Sequence, residues 1–206
     1  MNNDNGKSIS QNRWKDAQKA ETDSWNEVLN NSYLLEITDL YYRHHKTMGL
    51  PEVGDKRILN VADIGCGPLS MMLHFDEVWG LAVDPIGFDK KWIDRYEVHG
   101  IRFIQSDAES FLENYTGTRY QEVWMYNVLQ HVKNPEFILD NLWKVGKVLR
   151  ISEPCLTPIT IHHPFTFEPD WYKTKLESIS KEWNWLRVDW DFPYVGGWGE
   201  LKKGEN

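Results

Sequence analysis

The chain has 206 residues, 41% of them apolar, and a net charge of −8, with a pI of about 5.4. That length suits one domain with a sizeable core. The acidic balance, with no basic stripe, argues against a nucleic-acid groove and against a membrane surface, and no apolar run reaches the roughly 18 residues of a membrane span.

Residues 1–10 are polar and Asn-rich, lack the apolar segment of a secretory signal, and are expected to form a disordered tail. The remainder, 11–206, reads as one domain: a helical N-terminal cap over 11–50 and a core over 56–206. Between Gln11 and Leu29, Trp14, Ala17, Trp25 and Val28 recur at near-helical spacing among charges, which predicts an amphipathic helix. A second helix is expected from Ser32 to Met48, ended by Gly49 and Pro51. Arg13, Trp14, Gln18, Trp25 and Tyr33 are candidates to close over a site from this cap, against the plainer reading that the helix packs on the core.

From Ile58 the pattern alternates. Strands are expected at Ile58–Asp63, Val78–Asp84, Arg102–Gln105, Glu122–Tyr126 and Lys147–Ser152. Helices are expected at Leu69–Phe75, Lys90–Val98, Ala108–Asn114 and Glu136–Val145. This is the signature of βαβ units and a doubly wound, mostly parallel α/β sheet. After a helix at Pro169–Ile179, two closing strands, Trp183–Trp190 and Val195–Lys202, lack a crossover helix and predict an antiparallel edge pair, about seven strands in all.

In such a sheet ligands lie beyond the carboxyl ends of the strands. The first strand runs into Asp63-Ile64-Gly65-Cys66-Gly67-Pro68. Its glycines permit backbone angles closed to other residues. Its N–H groups, beside a helix whose first turn Pro68 would suit, are candidates to hold a carboxylate or phosphate. The plainer reading is a tight turn. Asp84 ends the second strand, followed by Pro85, and an acid there is suited to both hydroxyls of a ribose. Ser106-Asp107-Ala108-Glu109 follows the third strand. Asp107 is placed either to accept from an adenine amine or to cap the next helix. Asn127 ends the fourth strand, near the reactive end of a bound cofactor, and His131, one turn on, faces substrate or caps and packs. His162 and His163 lie with Glu153 in an aromatic segment after the fifth strand, on the substrate side or in a surface loop. His44 and His45 read as solvated. Cys66 and Cys155 have no partner at metal-ligand spacing, so no metal and a reduced, cytoplasmic setting are expected.

Taken together, Val61–Pro68, Leu81–Asp84, Ser106–Glu109 and Asn127–Val132 resemble, in order and spacing, the class I S-adenosylmethionine-dependent methyltransferases with their Rossmann-like fold. The resemblance spans about Ile58 to Pro154. It implies S-adenosyl-L-methionine as cofactor and S-adenosyl-L-homocysteine as product. It implies that Asp63, Gly65, Cys66 and Gly67 lie at the methionine end, Asp84 and Pro85 at the ribose, Asp107 and Ala108 at the adenine, and Asn127 beneath the methionine moiety, with Gln130 also against the cofactor. Leu69 replaces a common small residue, an expected narrowing of the pocket mouth, and Gln130 stands where relatives carry Glu, so a charge is absent. A dinucleotide oxidoreductase is disfavoured, because its third glycine is here Ser70.

The expected activity is methyl transfer to a small soluble acceptor, at a hydroxyl oxygen, with His131, His162 or His163 as base and Arg13, Trp14, Gln18 and Glu153 at the substrate or lid. Two other readings stand: methylation of a protein or RNA within a complex, or a cofactor-binding subunit without turnover.

Overall fold

The computed structural model describes residues 8–30, 48–50, 59–189 and 193–203. A helix α1 (Gln11–Asn30) precedes β1 (Leu59–Ile64), β2 (Val78–Asp84), α2 (Lys90–Val98), β3 (Ile101–Gln105) and α3 (Ala108–Asn114). Then come β4 (Tyr120–Tyr126), α4 (Pro135–Asn141), β5 (Gly146–Pro154), α5 (Pro169–Ile179), β6 (Ser180–Asp189) and β7 (Pro193–Leu201). One seven-stranded sheet has the order β3-β2-β1-β4-β5-β7-β6. β1 to β5 run parallel, and β7 lies antiparallel to both β5 and β6.

The central strands are apolar on both faces because helices cover both. Alternate residues feed separate cores. Ala62, Ile64, Leu81, Val83, Val123 and Met125 pack with Phe111, Leu139 and Tyr172 on one side. Val61, Ala82 and Trp124 pack with Met48, Met72 and Tyr96 on the other. The chain moves outward from β1 through β2 to β3 and then returns to β4 on the other side of β1, so the loops leaving β1 and β4 diverge and open a crevice at the carboxyl edge.

Several expectations differ from the structure. The helix expected at Leu69–Phe75 is a single 3₁₀ turn, Met71–His74. Ser70 Oγ accepts from Met72 N at 3.1 Å while donating to Asp63, so capping and the hold on β1 delay the turn past Pro68. The helix expected to reach Val145 stops at Asn141 and continues as a 3₁₀ turn, Leu142–Lys144. β7 begins two residues before Val195, and Gly197 within it has φ +147°, with a Cβ position only 1.9 Å from Asn184 O. Glycine here lets neighbouring β6 come close. Of the tail, 1–7 lie outside the described residues, but 8–10 are placed: Ile9 N–H donates to Lys133 O at 3.0 Å. The second cap helix, Tyr33, His44 and His45 also lie outside the described residues. No described helix is long and apolar enough to cross a membrane.

Candidate cofactor site

A cleft opens at the reversal between β1 and β4, where ligands bind in sheets of this kind. Its floor is the turn after β1. Gly65 has φ +75°, and a Cβ there would lie 2.5 Å from the Val128 methyls, so only glycine lets β1 and the β4 loop meet. The N–H groups of this turn are already used. Gly65 N and Cys66 N donate to Val83 O at 2.7 and 3.2 Å, and Gly67 N donates to Asp84 Oδ2 at 2.9 Å. With no α-helix N-terminus behind them either, the expected carboxylate or phosphate cradle is not built.

The floor is acidic instead. Asp63 and Asp84 are both buried. Asp63 accepts from Ser70 Oγ, and Asp84 Oδ1 accepts from Ile86 N at 2.9 Å. Burial pushes each carboxyl up to about 7; the nearby Asp84 charge adds to this at Asp63, and the backbone donors partly offset it at Asp84. Burial likewise lifts the Cys66 thiol well above its ordinary range, so it is not a reactive nucleophile. Tyr96 fixes the turn from below, donating to Gly67 O at 2.6 Å and accepting from Ser70 N at 3.0 Å.

At the β3 end, Ser106, Asp107, Ala108 and Glu109 line the cleft. Asp107 is the cap of α3: it accepts from Ser110 N at 3.0 Å and Ser110 Oγ at 2.9 Å, and pairs with Lys133 Nζ at 2.9 Å. Its carboxyl lies below the usual range: burial opposes ionisation, but these donors prevail. Glu109 Oε1 accepts from Lys133 N and Asn134 N at 2.7 and 2.9 Å, tying α3 to the loop after β4.

At the β4 end, Asn127 takes a left-handed conformation, φ +55°, which Asn tolerates better than most residues. Asn127, Val128 and His131 line the cleft. Gln130 does not: the 3₁₀ turn Leu129–His131 carries it inward, where its Nε2 donates to Asn127 Oδ1 at 2.6 Å. It therefore sits behind Asn127, a correction to its expected place against the cofactor. Leu69 is also off the lining; it packs with Leu29, Ile86, Phe88 and Trp92 rather than narrowing the mouth.

The roof is α1. Trp14, Gln18, Glu21 and Trp25 share one helical face and all line the cleft. Trp14 Nε1 and Gln18 Nε2 both donate to His131 O, at 3.1 and 3.2 Å. Arg13 is not in the lining; it donates to the carbonyls of Thr160 and, at 2.8 Å, Ile161, clamping the helix to the segment after β5. The same segment brings the three histidines together. The His131 and His163 rings are 4.9 Å apart, and Glu21 Oε2 lies 3.8 Å from His131 Nδ1 and 3.6 Å from His162 Nδ1. Burial pushes His131 and His163 down to about 4, so both are neutral at physiological pH. Only His131 of the three lines the cleft. Glu153, expected at the substrate, is wholly buried beneath the β4 loop and does not line the cleft.

Two lining carboxylates, Glu21 and Glu109, were not singled out from sequence. The signal for Glu21 is its place on one face with Trp14, Gln18 and Trp25; Glu109 closes the motif after the third strand, where the sequence assigns it no role of its own. Among the described residues, no group of His, Cys, Asp and Glu is arranged to hold a metal.

A parallel sheet closed by an antiparallel strand pair, with its cleft at the β1–β4 reversal, is the fold of the class I S-adenosylmethionine-dependent methyltransferases. Three solved structures share it. The N-methyltransferase NodS of Bradyrhizobium japonicum, in complex with S-adenosyl-L-homocysteine, superposes with a TM-score of 0.65 at 14% identity, covering 88% of this chain and 98% of that one. The 1,6-didemethyltoxoflavin-N1-methyltransferase of Burkholderia thailandensis gives 0.65 at 12%, covering 95% and 92%. The magnesium protoporphyrin IX methyltransferase of Synechocystis gives 0.60 at 13%, covering 91% and 100%. A comparison with curated proteins finds no match. The family described as methionine biosynthesis protein MetW matches residues 55–163, and the chain belongs to it.

Proposed function

We propose that the cleft binds S-adenosyl-L-methionine and that the protein transfers its methyl group to a small acceptor, at a hydroxyl oxygen. One observation carries the cofactor reading: Glu21, Asp63, Asp84, Asp107 and Glu109 line the cleft, while among the described residues no lysine or arginine does, and the N–H groups of the glycine turn are already occupied. Such a lining repels a pyrophosphate and attracts a cation. The carboxylates and Asn127 fit a sulfonium-bearing adenosyl group: Asp63 and the glycine turn at the methionine end, Asp84 and Pro85 at the ribose, Asp107 and Ala108 at the adenine. That cofactor supplies an electrophilic methyl on a positively charged sulfur. The three structural neighbours are methyltransferases, each crystallised with S-adenosylhomocysteine, and they support the same reading.

The protein's contribution is alignment. Holding acceptor oxygen, methyl carbon and sulfur in line is worth roughly 7–11 kcal/mol in well-oriented systems. His131, neutral and on the lining, takes the hydroxyl proton in this reading, with His163 packed against it. The roof formed by α1 favours a compact acceptor over a macromolecule.

Calorimetry with S-adenosylmethionine tests the cofactor. Micromolar binding is expected in the full chain, weakened at least tenfold in Asp84→Ala. No heat at high micromolar cofactor would remove the assignment. A His131→Ala protein that methylates hydroxyl acceptors at full rate would remove the base.

A further inference from the structure

Glu153 is the last residue but one of β5, wholly inaccessible to solvent, and no part of the cleft lining. A buried carboxyl without a cation is costly, so its contacts need a reason. Its Oε1 accepts from Val128 N at 2.8 Å and Leu129 N at 3.0 Å, and the Gln130 N–H lies within reach of the same carboxyl. These are consecutive residues of the loop that follows Asn127. The adjacent Ser152 O accepts from Asn127 N at 2.9 Å. β5 thus holds four successive residues of the loop, from the left-handed Asn127 to Gln130. His131 closes the turn by donating its N–H to Val128 O at 2.8 Å. Through Gln130 Nε2, the hold also reaches the Asn127 side chain.

We propose that Glu153 is a positioning residue: by gripping the backbone of Val128 and Leu129 from beneath, it sets where Asn127 and His131 stand in the cleft. This rests on the cofactor reading above for its consequence in binding, but not for its geometry. The remaining groups packed around it do not duplicate the grip. Glu153 Oε2 and the Tyr172 hydroxyl are buried without a hydrogen-bond partner, and so is Gln130 Oε1. The carboxyl therefore spends one oxygen on the loop and leaves the other free. A carbonyl oxygen at the same place would serve the loop equally well. A carboxyl drawn back by one methylene would not reach it.

The test compares Glu153→Gln and Glu153→Asp with wild type. S-adenosylhomocysteine is titrated by calorimetry, and the ring protons of His131 are followed by NMR between pH 4 and 8. Glu153→Gln is expected to bind within threefold of wild type and to keep His131 titrating low. Glu153→Asp, still folded, is expected to bind at least tenfold more weakly, with His131 moving towards the ordinary histidine range. If both variants lose melting temperature but leave affinity and the His131 titration unchanged, Glu153 is only a core group and the proposal is overturned. Should wild type fail to bind S-adenosylhomocysteine, the cofactor reading fails, while the His131 titration still decides this one. If Glu153→Asp does not fold, hydrogen exchange in wild type decides: strong protection of the Val128 and Leu129 amides supports the grip, and exchange at exposed-loop rates refutes it.

Discussion

At the residue scale, the cleft concentrates groups that are happier uncharged. Asp63 is buried and its carboxyl is raised to about 7, against an ordinary value of 3.8. The sign of its linkage follows: a raised carboxyl stabilises the fold fully below the unfolded value, and that contribution is lost as pH rises through the folded one. Asn at 63 can still accept from Ser70 Oγ and never ionises. Asp63→Asn is therefore expected to be more stable than wild type at pH 8, by about 4 kcal/mol at roughly 1.4 kcal/mol per pKa unit, with the gap closing towards pH 4. Urea melts at the two pH values check this. The same variant should bind S-adenosylmethionine more weakly, because the carboxylate that costs stability is one that a cation would offset.

Among the elements, α1 is tied to the rest by polar contacts that include Glu21 beside His131 and His162. Arg13 reaches Thr160 and Ile161, while Trp14 and Gln18 reach His131. Arg13→Ala is expected to lower the melting temperature by only a few degrees, yet to raise the dissociation rate of S-adenosylhomocysteine several-fold and speed proteolysis within 11–30. Stopped-flow dissociation and timed digestion would show it; unchanged rates in both would mean the roof does not depend on this clamp. The helix itself was legible from its apolar spacing, as were β2, α2, α3 and α5, whose bounds are those the pattern predicts. β7 was expected at Val195–Lys202 and runs from Pro193 to Leu201; its early start was not legible, because Pro193 and Tyr194 join the strand only through pairing with β6 and β5. The strand-end residues were legible because strand order alone fixes which edge they share. Glu21 was not, since its place depends on α1 folding across the sheet. Glu153 was misread because proximity in sequence to the edge does not say on which side of a loop a side chain lies.

For the whole molecule, the charge of −8 and the carboxylate lining of the cleft act in the same direction. A cationic ligand gains from both, and the part due to distant surface charge is screened over about 8 Å at physiological salt. S-adenosylmethionine is expected to bind more tightly than S-adenosylhomocysteine at 20 mM salt, on the order of five- to tenfold by this reasoning. The advantage should shrink but persist at 0.5 M, because the contribution of the buried pair is not screened. Calorimetry across a salt series reads both components.

The strand order has a bearing on how the chain is made. Among the described residues β6 sits at the sheet margin and pairs with β7 alone, which is later in sequence and lies between it and β5. Until residue 201 has left the ribosome, β5 carries an unsealed flank, and Trp183 and Trp185 have no sheet to join. A nascent protein at that stage offers sticky, hydrogen-bond-hungry edges to its neighbours, so clipping or stalling within Pro193–Leu201 should yield aggregate rather than a folded protein.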